Sequence, residues 1–171
     1  LKKKSVEVRA KKEIVISAGT IKSPHILQLS GIGDEADLKA AGIECKIPLA
    51  GVGKNLQDHI MCPLIYSSKK EVAPPPQGLN PMHSQLFAKT DASRVVPDSQ
   101  PMFVTRGNYQ AGMTGPEDAF TLMTGNIRAQ SFGNIKLQSK TVSDAPIINT
   151  NYLAAEADIE SLEKTASKGM L

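Results

Sequence analysis

Gly19-Thr20-Ile21-Lys22-Ser23-Pro24-His25-Ile26-Leu27-Gln28-Leu29-Ser30-Gly31-Ile32-Gly33 carries more positional information than any other run in the chain. Ahead of it, Ile14-Val15-Ile16 is a short β-branched run that predicts a strand. The strand passes into Ser17-Ala18-Gly19, small residues that let a ligand approach the backbone. Gly19 is free to take a positive φ there. Ser23 predicts a helix cap, and Pro24 suits the first turn behind it. His25–Ser30 then reads as one or two helical turns stopped by Gly31.

Outward from this stretch, Val6-Glu7-Val8-Arg9-Ala10 alternates like a half-buried strand, and Lys11-Lys12 turns it toward Ile14–Ile16. After Gly33 the signals for a helix are complete. Asp34 is the cap, Asp37 the third position, Leu38 and Ala41 the inward face, and Gly42 the terminator. Glu44–Pro48 predicts a short strand, and Gly51–His59 a loop with a polar tip. Lys69–Pro81, with Pro74-Pro75-Pro76, predicts the one linker. Beyond it Ser84–Lys89, Pro101–Thr105, Phe120–Asn126 and Asn134–Ser139 predict strands, as does Pro63–Ser68 before it. Gly107-Asn108 and Gly133-Asn134 suit tight turns. From Ala154 the apolar residues Ile159, Leu162, Ala166 and Met170 take helical spacing, with Glu160–Lys164 a favourable pair.

The central stretch resembles the second signature of the glucose–methanol–choline oxidoreductases, FAD-dependent alcohol oxidases and dehydrogenases. The match falls on Gly19, Thr20, Ser23-Pro24, Ile26-Leu27 and Ser30-Gly31-Ile32-Gly33. It extends to Lys12–Gly19 before and to Leu49-Ala50-Gly51-Val52-Gly53-Lys54-Asn55-Leu56-Gln57-Asp58-His59 after. Ala145–Leu153, with Asp158 and Leu162, also looks like a segment of that family. The resemblance implies a mixed α+β and α/β fold: the last strands of an FAD-binding domain over 1–62, then a partial substrate-binding domain over 63–171. The second part would be an antiparallel sheet with helices on one face.

The resemblance also places Ala18, Gly19, Asn55, Asp58 and His59 beside the FAD. It implies oxidation of a small-molecule alcohol at CH–OH, hydride transfer to the flavin, and reoxidation by oxygen or a quinone-type acceptor. The family's first glycine motif and its catalytic histidine are not among the 171 residues. The expectation is therefore the middle of an enzyme that does not hold FAD by itself; the contrasting one is a truncated, non-catalytic binding module.

Other readings carry less. Gly31-Ile32-Gly33-Asp34-Glu35-Ala36 fits a dinucleotide pattern, but Asp34 and Glu35 would set carboxylates where a pyrophosphate must bind. Asp58-His59 invites an acid–base reading, yet adjacent residues point apart on most backbones, so a loop lock accounts for them better. His25 reads as a helix-surface or packing residue, and His83 carries no motif. The histidines have no carboxylate or cysteine at ligand spacing, so no metal site is expected. Gly-x-Ser-x-Gly does not occur. Cys45 and Cys62 read as free, buried thiols. A formal net charge of +3 gives no argument for nucleic acid as a partner.

Overall fold

The computed structural model describes residues 6–169. In chain order its elements are α1 (Gly19–Leu29), β1 (Ile32–Gly33), α2 (Glu35–Ala40), β2 (Ile47–Pro48), β3 (Lys54–Leu56) and β4 (Ile60–Ser67). There follow β5 (Met82–Gln85), β6 (Met102–Val104), β7 (Ala119–Asn126), β8 (Gly133–Lys136), β9 (Ile147–Asn149) and α3 (Glu156–Gly169). The strands form a parallel pair β1-β2, a three-stranded sheet β3-β8-β9 and a four-stranded sheet β4-β7-β6-β5. By compactness the chain divides into two units. One runs to Lys54 and includes Ile135–Ile148; the other comprises Asn55–Asn134 and the residues from Asn149 on. This division follows packing and is separate from the sequence division into 1–62 and 63–171.

In the first unit the two strands expected over Val6–Ala10 and Ile14–Ile16 do not form. Residues 6–18 are irregular, and Val6, Val8, Ile14 and Val15 are each more than three-quarters exposed. Local β-propensity is weak without a neighbour to take up the backbone hydrogen bonds, and none is paired here. Their amides are expected to exchange with solvent at near-random-coil rates, while those of β4 and β7 are retained. Protection across Val6–Ser17 in a hydrogen-exchange map would contradict this.

The helix expected from Ser23 begins earlier, at Gly19, and Pro24 lies inside it. Ser23 does not cap its own following turn; its Oγ accepts the Ala18 N–H at 3.1 Å. Gly31 ends the helix as expected, at φ +83°. α2 matches its sequence signals. Asp34 Oδ1 accepts the Asp37 N–H at 3.0 Å, Leu38 is 1% exposed, and Gly42 follows the helix at φ +74°. Ala41 is half-buried. The strand expected over Glu44–Pro48 shortens to β2, which pairs Ile47 with Ile32 and Pro48 with Gly33.

The second unit is built on β7. It pairs antiparallel along its whole length with β4, from Ile60↔Asn126 to Ser67↔Ala119, and with β6 on its other side. A strand flanked on both sides is buried, and the polar side chains it carries inward must be bonded. Thr121 Oγ1 donates to the Arg106 carbonyl at 2.8 Å and accepts the Asn108 N–H, and Thr124 Oγ1 donates to the Cys62 carbonyl at 3.0 Å. On one face Tyr66 stacks on Phe120 at 5.3 Å between centroids, and Phe103 tilts against the same ring at 5.6 Å. Such cross-strand ring pairs contribute about 0.5–1.5 kcal/mol each beyond their buried area.

α3 packs on β7. Ile159, Leu162 and Ala166 are half-buried, while Asp158, Ser161 and Thr165 are the buried positions. Thr165 Oγ1 bonds Ser99 Oγ at 2.9 Å, and Lys164 pairs with Glu160 at 3.5 Å as the spacing predicts. Met170 and the side chain of His83 lie outside what is described. Lys69–Pro81 forms no helix or strand, and the remaining predicted strands appear as β4 to β8 with shifted ends. Gly133-Asn134 is not a turn but the start of β8. Cys45 is half-buried and Cys62 exposed, so the thiols are free but not buried as expected.

Candidate functional site

The predicted cofactor contacts fall in both units, Ala18 and Gly19 in the first and Asn55, Asp58 and His59 in the second. Ala18 and Gly19 are the entry to α1. Gly19 has φ +80°, and a Cβ built there meets nothing within 4 Å. Its glycine requirement is therefore conformational, and the space in front of it is open. The first-turn N–H groups of a helix have no intrahelical acceptors, and α1 has neither a side-chain cap nor an acidic residue in its first turn. The backbone thus presents donors and a positive dipole end to whatever approaches.

The body of α1 is fixed from behind. His25 and Gln28 are each 3% exposed. Burial first, and Lys22 second, push the His25 imidazole below its ordinary value. Lys22 Nζ lies 3.5 Å from its Nδ1. A buried ring with a lowered pKa is a packing element, so of the two sequence readings the helix-surface one falls away. Gln28 Nε2 donates to the Ile135 carbonyl at 2.9 Å and to the Val52 carbonyl at 3.4 Å. The dinucleotide reading of Gly31–Ala36 fails in the structure as on electrostatics, because the Asp34 carboxylate already occupies the N-terminus of α2.

In the second unit Asn55, inside β3 where the sequence predicts a loop, has a left-handed backbone, φ +57°, and the polar loop follows it. Leu56 is buried and anchors it. Gln57 Nε2 donates to the Ala129 carbonyl at 2.8 Å. Asp58 Oδ1 accepts the His59 backbone N–H at 2.8 Å, and its Oδ2 accepts the Tyr152 hydroxyl at 2.5 Å. The Tyr152 hydroxyl first, and the His59 amide second, hold the Asp58 carboxyl below the usual carboxylate range. The same bond raises the Tyr152 phenol. Asp58 therefore spends its oxygens on a phenol and a backbone amide, the arrangement of a loop lock.

Gln57, Asp58 and His59 form one wall of a hollow of about 320 Å³, whose other side is Ile127, Arg128 and Ala129. A larger apolar cleft of about 490 Å³ in the same unit is lined by Leu86, Met102, Phe103 and Leu122 among others. The cleft also carries Ser84, Gln85 and Lys89, and the smaller hollow carries Gln57, Asp58, His59 and Arg128. Sequence reasoning missed Tyr152, Gln57 and Arg128 there. The only signal for Tyr152 was its place in the family-like segment Ala145–Leu153.

The first unit thus carries a helix entered through an open glycine corner, and the second a four-stranded antiparallel sheet backed by a helix. Residues 1–61 match the family model described as GMC oxidoreductase. Human mitochondrial choline dehydrogenase is 32% identical over 173 residues, covering 88% of this chain and 29% of that protein. The oxygen-dependent choline dehydrogenase of Pseudomonas fluorescens is 33% identical over 175 residues, covering 90% and 31%. Among solved structures, pyridoxine 4-oxidase from Mesorbium loti superposes with a TM-score of 0.81 at 27% identity, over 90% of this chain and 31% of that one. Formate oxidase, at 22% identity and a TM-score of 0.82 over 94% and 36%, shares the fold. The chain belongs to the GMC oxidoreductase family, whose cofactor is FAD. It spans about 30% of the length of the curated relatives it matches.

Proposed function

We propose that this chain is part of an enzyme that oxidises a small-molecule alcohol at CH–OH to an aldehyde or ketone, and that Ala18, Gly19, Asn55, Asp58 and His59 face the FAD. The observation that carries the reading is Gly19: a positive φ with open space before it, inside the segment that matches the family. The residues fit a flavin nucleotide. Backbone donors at the start of α1 suit electron-rich or anionic groups, and no carboxylate in its first turn competes with them. Asp58, held ionised, and the loop around it offer a fixed polar surface. Bound FAD supplies the two-electron acceptor for the oxidation. Choline and pyridoxine, for which the relatives are named, are small molecules with a CH–OH group. Oxygen, named for the Pseudomonas relative, or a quinone-type compound would be the terminal acceptor.

Titrating FAD into the ¹⁵N-labelled chain is expected to shift the amides of Ala18, Gly19, Asn55, Asp58 and His59. No flavin should survive gel filtration, because these residues supply only part of the contacts. Gly19→Val is expected to abolish the shifts at Ala18 and Gly19 while lowering stability by about 1–2 kcal/mol, the cost of a left-handed backbone with a branched Cβ. Shifts scattered evenly along the chain, or none at these positions, would refute the site. A stoichiometric yellow complex after gel filtration would refute the division of contacts.

A further inference from the structure

Tyr152 lies 94 positions from Asp58 in sequence, yet its hydroxyl donates to Asp58 Oδ2 at 2.5 Å. The backbone around the tyrosine is unusual. Asn151 and Leu153, on either side of it, both have left-handed φ values, +51° and +59°. Non-glycine residues keep such conformations where their surroundings over-determine them. Here Asn151 N–H donates to Asn149 Oδ1 at 3.0 Å, and Asn151 Nδ2 donates to the Phe132 carbonyl at 3.0 Å. The segment that presents the phenol is thus held through Asn151, by one backbone and one side-chain hydrogen bond. On the other side, Gln57 is tied to Ala129 and Leu56 is buried. Between two fixed segments, the Asp58 carboxylate is the joint.

We infer that Tyr152 is a positioning residue: its hydroxyl sets the Asp58 carboxylate and, through it, the backbone of His59 at the rim of the Gln57–Ala129 hollow. The inference rests on the reading that this loop faces the cofactor. A charge-assisted O–H···O⁻ bond is both short and directional, so it fixes the carboxylate plane as well as its distance. With Oδ2 held, Oδ1 is left aimed at the His59 N–H, and the imidazole leaves the backbone from a set point. The charged or titratable side chains lining that hollow are Asp58, His59 and Arg128, with Tyr152 behind Asp58. Removing the phenol oxygen frees the carboxylate to rotate toward solvent or toward Arg128, and the His59 amide loses its acceptor.

The test uses the full, cofactor-free chain labelled with ¹³C and ¹⁵N, as wild type, Tyr152→Phe, Asp58→Asn and the double variant. Tyr152→Phe is expected to raise the carboxyl titration midpoint of Asp58 toward its ordinary value. It should also speed exchange of the His59 amide about tenfold, with the urea midpoint unmoved. Asp58→Asn should speed the same amide, and the double variant should go no further, since both act through one joint. An unchanged Asp58 midpoint and His59 exchange in Tyr152→Phe would overturn the assignment. So would additive effects, or acceleration shared by all amides together with a lower urea midpoint. Because no FAD is present, the joint can fail while the cofactor reading stands, and the FAD titration reads the latter separately.

Discussion

Asp158→Ala is expected to destabilise the protein by roughly 3–5 kcal/mol, read as a lowered urea midpoint with an unchanged slope. The carboxylate is 1% exposed and accepts from four donors. Oδ1 takes Asn126 Nδ2 at 3.0 Å and the Gln130 N–H at 2.8 Å; Oδ2 takes the Ser131 N–H at 2.9 Å and the Ser131 hydroxyl at 2.5 Å. Alanine removes every acceptor at once and strands buried donors. Asn is no remedy: either orientation aims an NH₂ at two donors, so Asp158→Asn should fall nearer to Ala than to wild type. A loss under 1 kcal/mol for Ala would show that water replaces the carboxylate.

The same site gives a sign for acid sensitivity. Burial raises the Asp158 carboxyl, but the Ser131 hydroxyl, the Gln130 and Ser131 amides and Asn126 outweigh it and leave it below its ordinary value of 3.8. A depressed folded value means that the unfolded chain binds the proton first as pH falls. The contribution is complete above the ordinary value and is lost as pH drops through the folded one. Wild type should therefore weaken below about pH 5, and Asp158→Ala should show a shallower acid limb.

Gly53→Ala is expected to cost roughly 4 kcal/mol, against about 1–2 kcal/mol for Gly42→Ala. The two glycines have nearly the same backbone, φ +78° and +74°. Around Gly42 a Cβ meets nothing within 4 Å, so only the left-handed conformation is penalised. At Gly53 the Cβ would overlap the Ile135 carbonyl oxygen and Gln28 Nε2. Those atoms bond each other, and the Ile135 N–H donates to the Gly53 carbonyl at 2.7 Å. The methyl would push apart the strand and the side chain that hold α1. Equal losses for the two variants, by urea denaturation, would show that the backbone term alone operates.

What could be read in the sequence was what is decided locally. Asp34, Asp37, Leu38 and Gly42 specify α2 within nine residues, and the structure follows them. The apolar spacing of Ile159, Leu162 and Ala166 announced the helix α3, although its buried positions are Asp158, Ser161 and Thr165, and β4, β6 and β7 lie close to the runs read as strands. Ile14–Ile16 shows the limit. A β-branched run supplies propensity, but a strand exists only when a second segment takes its hydrogen bonds. Ser23 shows another limit: a hydroxyl before a proline looks like a cap, yet the same oxygen served the Ala18 amide five residues back. Gly19 could be picked out because a turn into a helix needs it. Tyr152 could not, since nothing in its own neighbourhood points to Asp58. Asp158 likewise draws its donors from residues 27 to 32 positions away.

One carboxylate in the first unit has a topological meaning. Asp37 Oδ2 holds Lys54 at 2.6 Å and its Oδ1 holds Lys136 at 2.8 Å. Hydrogen bonding from Lys136 first, then Lys54, lowers the Asp37 carboxyl. Lys54 is where the chain leaves this unit, and Lys136 sits one residue after it returns. The stems of the 55–134 excursion are thus fastened side by side by a single side chain on α2. The entropy of closing a long loop grows only with the logarithm of its length, about 0.6 kcal/mol per doubling. With its ends tied at the base, a change in the length of the excursion adds little to the closure cost of the unit that carries it.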